Sequence, residues 1–142
     1  MIVDDSVRAF IGDGADATLI TLNPDGSPQA SLVWVALQST PDGDELVSAH
    51  LSDTYRKVRN IRRDPRVVAT IAGRRGPQDP VTPYLTITGT ARIVAGGAPE
   101  LLTALNAVMA PENIGKFPPP DSPPGFLTRI RIDKIGGVGV QV

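Results

Sequence analysis

Along most of the chain apolar and polar positions alternate with a period of two, interrupted by a few stretches with the three-to-four spacing of helices. The cleanest alternation is Tyr84 to Ile93. Leu85, Ile87, Ala91 and Ile93 fall on one side, and Tyr84, Thr86, Thr88, Thr90 and Arg92 on the other, as in a strand with one buried face. Runs at Ala17–Leu22, Gln29–Leu37, Glu45–Leu51, Val67–Ala72 and Phe126–Ile132 read as further strands. Ile135–Val142 is a candidate closing strand in which Gly136, Gly137 and Gly139 permit a bend or bulge. Asn23-Pro24-Asp25-Gly26 and Thr40-Pro41-Asp42-Gly43 carry turn residues, so the first three strands form an antiparallel meander.

Three helices are predicted, one ahead of the first strand and two between the strands. Asp4 or Asp5 can cap a short one ending at Ile11. Ser52, Asp53 and Thr54 are each competent to open a second, whose Val58 and Ile61 face the core and which Pro65 stops. Pro99 opens a third, with Leu101, Leu102, Leu105, Val108 and Met109 along it. Ala110–Gly125 is a proline-rich extended loop, which can cover a cleft, reach a partner subunit or simply run over the surface. Six or seven strands with short helices predict a mainly-β fold over residues 1–142, an antiparallel barrel with helices at its ends.

The second helix breaks a local rule. Arg62 and Arg63 lie in its last turn, where cations complement the helix dipole, but Arg56 and Lys57 lie in its first turn and oppose it, at a cost of about 0.3–1 kcal/mol each. An anion at the helix start, of which phosphate is the obvious example, would remove the conflict, because free backbone N–H groups already point there. A solvated basic face without a ligand is the competing reading.

Arg56-Lys57-Val58-Arg59-Asn60-Ile61-Arg62-Arg63-Asp64-Pro65-Arg66-Val67, with a strand on each side, resembles the signature of the pyridoxamine-phosphate-oxidase-like split β-barrel oxidoreductases, and especially their F420-dependent branch. The resemblance extends over Ala17 to Trp34 upstream. It implies a split barrel that binds FMN or the deazaflavin F420, as a homodimer with the cofactor at the interface. Residue by residue, it implies that Arg56 and Lys57 hold the cofactor phosphate, with Ser52 and Tyr55 within local reach. Asn60 supports the phosphate loop, the backbone of Ser31, Leu32, Val33 and Trp34 runs beside the ring, and Ser48 and His50 meet the ribityl chain and ring. Trp34 also reads as a core residue and His50 as an ordinary strand-end residue. Tyr84 and Arg59 have equally plain alternatives, and no catalytic acid is identifiable.

Composition narrows the remaining classes. With Lys+Arg 14 against Asp+Glu 15 the chain lacks the basic excess of a nucleic-acid or membrane binder, and its aromatics, at 4%, are too few for base stacking. One histidine and no cysteine leave neither a metal-ligand cluster nor a thiol nucleophile, and no GxSxG elbow, P-loop or GxGxxG is present. No apolar stretch approaches 18 residues and no leader is visible, so a cytoplasmic location is expected. A cofactor that brings its own reactivity suits so bare an inventory. The C-terminal RIRIDKIGGVGVQV lacks the Arg- and Trp-rich motif of the vitamin B6 oxidases, and no histidine follows His50 as in the haem-handling relatives. The expectation is hydride transfer from reduced F420 to a small conjugated acceptor; FMN-dependent redox chemistry and a non-catalytic flavin or F420 carrier are the alternatives.

Overall fold

The computed structural model describes residues 1–142 and closes six antiparallel strands into a barrel. The elements run α1 (Asp5–Ile11), β1 (Ala15–Leu22), β2 (Pro28–Thr40), β3 (Gly43–His50), α2 (Arg56–Arg63), β4 (Arg66–Ala72), β5 (Tyr84–Ala95), α3 (Ala98–Met109) and β6 (Phe126–Val138), with a 3-10 turn at Pro111–Asn113. Around the barrel the order is β1-β2-β3-β6-β5-β4, and β4 pairs back onto β1, so no sheet edge is left open.

The period-two pattern is what fills the barrel. Ala17 and Leu19, Val33 and Val35, Leu46, Val67, Ala69 and Ile71, Leu85, Ile87 and Ala91, and Ile130 and Ile132 all point inward to one core. Val3, Val7 and Ile11 of the N-terminal segment close one end of it, and Ile61 of α2 the other. The opposite faces carry either polar residues or a second, smaller core. There Leu101 and Leu105 of α3 pack on Val47 and Leu127, with Trp34, Ala36 and Ala49 alongside. Helix α3 therefore lies on the outside of the barrel, over β2, β3 and β6.

Two sequence expectations are corrected. The C-terminal part is one strand, not two: β6 pairs with β5 from Phe126 to Val138, and its register slips where Gly89 faces Ile132 and Thr88 faces Lys134. Asp133 is the extra residue of a β-bulge. It moves the inward positions from Ile130 and Ile132 to Ile135, and that break in period looks like a strand boundary in the sequence. Gly89 permits the crossing, since a Cβ there would lie 2.5 Å from the Arg131 carbonyl oxygen and from Ile130 Cγ2.

The second correction concerns the start of α2. The helix begins at Arg56 with Tyr55 as its N-cap, and no side chain caps it. The three competent caps are engaged elsewhere. Ser52 Oγ accepts from the Thr54 N–H at 3.1 Å and pairs with the Thr54 hydroxyl at 2.8 Å, while Asp53 binds Arg62 at 2.9 Å. The first amides of the helix are left without a partner, and neither Arg56 nor Lys57 donates its N–H within the chain.

Candidate functional site

The α2 end of the barrel gathers most of the residues singled out in the sequence. The helix is fixed from below by Asn60, which is 1% exposed and donates to Thr21 Oγ1 at 3.0 Å and to Asn23 Oδ1 at 3.1 Å. These bonds tie α2 to the end of β1 and to the Asn23–Gly26 turn, where Gly26 (φ 84°) returns its N–H to the Asn23 carbonyl at 2.8 Å. Arg63 joins the same anchor by donating to the Leu22 carbonyl and to Asn60 Oδ1. Asn60 is thus an anchor beneath the helix.

Half of the basic side chains around α2 are already neutralised or bonded. Arg62 pairs with Asp53, Arg66 pairs with Asp64 at 2.7 Å, and Arg63 holds the anchor. Arg56, Lys57 and Arg59 form no salt bridge and no side-chain hydrogen bond, although Asp25, whose pKa is lowered chiefly by hydrogen bonds from Ser27, also feels the charge of Arg56. Burial lowers the Lys57 pKa, a sign that its ammonium is held partly out of water. The ammonium lies 5.3 Å from the centre of the Tyr55 ring, a cation–π contact. Positive charge without a salt bridge and free helix amides coincide at one place.

His50 lies behind this cluster rather than at its surface. It is 2% exposed, its Nε2 shares a 2.5 Å hydrogen bond with Thr128 Oγ1, and its ring meets Tyr55 edge-on at 6.5 Å. Burial, with a smaller contribution from Lys57, pushes its pKa down to about 4, so the imidazole is neutral at physiological pH. The stack His50–Tyr55–Lys57 makes it a support for the N-cap residue.

Beside the cluster is a groove of about 270 Å³ on the outside of β2, lined by Leu32, Val33 and Trp34, by Ser48 and Ala49, by Lys57, and by Asp16, Leu102 and Phe117. Its walls are mainly apolar, with charge only at Lys57 and Asp16. Of the sequence candidates, Leu32, Val33, Trp34, Ser48 and Lys57 line it together; Tyr55 and Arg56 adjoin it at the helix start, with Ser52 in the preceding turn. Ser31 does not line it. Its hydroxyl is buried without a hydrogen-bond partner on the strand position facing Leu19.

Asp16, Ala49, Leu102 and Phe117 are the wall residues that sequence reasoning missed. Phe117 comes from the proline-rich segment and is held by Asn106 of α3, which donates from Nδ2 to the Phe117 carbonyl. Part of that loop is therefore a wall of the groove. A larger concavity of about 630 Å³ lies on the other part of the outer sheet, around Glu45, Arg92, Arg129 and Arg131. Its three arginines are all paired: Glu45 binds Arg92 at 2.6 Å and Arg129 at 3.4 Å, and Arg131 binds Asp133 at 2.9 Å. The smaller groove, with unpaired Lys57 in its wall and Arg56 beside it on α2, is the better candidate for a ligand. No helix is long and apolar enough to cross a membrane, and no group of three or more His, Cys, Asp or Glu is arranged to hold a metal ion.

Comparison with known proteins places this geometry among relatives. A family model described as pyridoxamine 5'-phosphate oxidase matches residues 3–139. Among solved structures, an F420 reductase superposes with a TM-score of 0.72 at 23% identity, covering 94% of this chain and 98% of that one. A putative pyridoxamine 5'-phosphate oxidase from Listeria innocua gives 0.61 at 19% identity, covering 94% and 96%. A haem-binding protein from Mycobacterium smegmatis gives 0.61 at 23% identity, covering 98% of this chain and 56% of that one. No curated protein matches the chain.

Proposed function

We propose a function from one premise: the chain belongs to the pyridoxamine 5'-phosphate oxidase family, whose model it matches over residues 3–139. On that premise the groove and the α2 start bind a phosphate-bearing cofactor of the flavin type. We take it to be coenzyme F420, and the activity to be hydride transfer from its reduced form to a small conjugated acceptor. The observation that carries the reading is the set of three unpaired cations, Arg56, Lys57 and Arg59, on a helix whose remaining arginines are all bonded.

The residues fit such a group. Phosphate suits unpaired Arg and Lys side chains beside free helix amides, which bind it by charge-assisted hydrogen bonds and relieve the dipole conflict of the first turn. A planar ring suits a groove walled by Leu32, Trp34, Leu102 and Phe117. The bound cofactor supplies the hydride, and the chain binds, orients and keeps water away. Tyr55 and His50 hold the Lys57 side chain in place, and Asn60 fixes the helix that carries it.

Leu32, Tyr55 and Phe117, at 71%, 44% and 39% exposure, form an apolar rim around the groove and helix start. That exposed apolar rim supports the proposal of a homodimer in which a second copy covers it, with the cofactor between subunits. FMN carries the same phosphate and a similar ring, so FMN-dependent redox chemistry shares these contacts. A binding protein without turnover does so too. Haem binding is less well served, since the only histidine is buried and bonded to Thr128.

The test is to mix reduced F420 with the protein and a panel of quinones and enones, and to follow cofactor oxidation. Acceleration over the protein-free rate, abolished in Arg56→Ala/Lys57→Ala, is the expected result. Binding without acceleration for any acceptor would favour the carrier reading, and binding of neither F420 nor FMN would overturn the site.

A further inference from the structure

The groove carries two charges of opposite sign, and only one of them has a role so far. Lys57 belongs to the α2 end of the barrel. Asp16 stands on β1 directly opposite Trp34 of β2, two positions further along that strand than Leu32. Asp16 is exposed, makes no ion pair and accepts no hydrogen bond, although the wall around it is mainly apolar. Glu45 and Asp133 on the outer barrel face are, by contrast, engaged: Glu45 with Arg92 and Arg129, and Asp133 with Arg131 and Thr90.

An unpartnered carboxylate beside an aromatic ring in a groove of this size is an acceptor without a donor. Desolvating it under a ligand costs free energy unless the ligand returns a hydrogen bond or a positive charge. An N–H donated to a carboxylate is among the stronger hydrogen bonds, and the bond gains strength as water leaves. A planar ligand without such a group is correspondingly disfavoured, which makes Asp16 a discriminator as well as an anchor.

We infer that Asp16 is a specificity-determining residue of the groove: its carboxylate accepts a hydrogen bond from an N–H on the edge of a planar conjugated ligand lying against Trp34. This deepens the cofactor reading above and rests on it. Two sources offer that chemistry, namely the ring imide N–H of a flavin or deazaflavin and an amino substituent on the acceptor. Neither is available to Lys57, which donates but cannot accept. The opposite signs at Lys57 and Asp16 therefore give a bound ligand a direction along the groove, with its anionic part toward α2 and its N–H edge toward β1.

The test compares wild type, Asp16→Asn and Lys57→Ala by equilibrium titration. The first probes are F420, FMN and FMN methylated on the imide nitrogen. The second are 2-amino- and 2-methyl-1,4-naphthoquinone, titrated into protein loaded with oxidised cofactor. If the cofactor edge is the donor, Asp16→Asn weakens F420 or FMN by roughly tenfold or more, and methylation weakens the wild type but adds little in the variant. If the acceptor is the donor, cofactor affinity is unchanged, and the preference for the amino over the methyl quinone disappears in Asp16→Asn. Either pattern supports the inference. Loss of cofactor affinity in Lys57→Ala with no change of either kind in Asp16→Asn would overturn it while leaving the cofactor reading intact. Failure of the wild type to bind F420 and FMN, or indifference to Lys57→Ala, would overturn both. A thermal melt of Asp16→Asn close to wild type is expected, since the side chain makes no contact on which folding depends.

Discussion

Acidification isolates the buried histidine, because His50 is the only histidine in the chain. Its pKa is pushed down to about 4 in the folded protein, chiefly by burial and then by Lys57, against about 6.5 in an unfolded chain. Between those values the unfolded state binds the additional proton, so stability rises with pH across the window and is lost as pH falls through it. Linkage of these two values gives a loss of about 2 kcal/mol between pH 8 and pH 5, and about 3 kcal/mol once pH has fallen well below 4. The carboxylates with lowered pKa, among them Asp44, Glu45 and Asp64, contribute stability that is lost mainly below about pH 4.5, so they scarcely overlap the upper part of the window. The assay is urea denaturation at pH 8, 6.5 and 5 at constant ionic strength, on wild type and His50→Gln. The wild type is expected to lose about 2 kcal/mol over that range and the variant less than about 0.5 kcal/mol. Parallel pH dependences in the two proteins would refute the placement of a neutral, buried imidazole against Thr128.

Other consequences follow from single contacts. Asn60→Ala removes one buried and one half-buried hydrogen bond to the β1 end and leaves the Thr21 hydroxyl with Gln29 as its remaining partner, so it should cost about 1–3 kcal/mol by chemical denaturation; a loss below about 0.5 kcal/mol would show that α2 is not anchored there. Gly89→Ala sets a Cβ against the Arg131 carbonyl at the bulge and should lower stability by about 2 kcal/mol or more, measured by thermal melt, because a backbone atom cannot move aside as a side chain does. Phe117→Ala should leave stability within about 1 kcal/mol, the side chain being partly exposed, yet weaken groove ligands several-fold by titration. Unchanged affinity would mean that the proline-rich segment is not a functional wall.

The barrel was largely legible because the code for a half-buried strand is local. Tyr84–Ile93 alternates without a flaw and lies inside β5, and the turns at Asn23–Gly26 and Thr40–Gly43 join the strands they were expected to join. Boundaries moved by one to three residues, since strand ends such as Pro28 and Thr40 carry no apolar signal. The bulge at Asp133 was hidden because one inserted residue reverses the period exactly as a loop would begin to do. Cap chemistry misled at α2: three competent residues stood in a row, and each found a nearer partner. At the site, Leu32, Trp34, Ser48 and Lys57 were found because they lie on or beside the signature. Asp16, Leu102 and Phe117 could not be found so, because α3 and the proline-rich loop reach the groove by packing across the outside of the barrel. Asp16 offered one faint signal, a lone charge at the mouth of the apolar run Ala17–Leu22.

The most direct test of the proposed phosphate-binding site is a parallel titration of F420 and FMN into wild type and Lys57→Ala at low and moderate salt. Tighter binding of F420 than FMN, weakened roughly ten- to a hundredfold by the substitution and progressively by salt, is the predicted result. Equal affinities in the two proteins, or no binding of either cofactor by the wild type, would contradict the assignment of Arg56 and Lys57 to a phosphate.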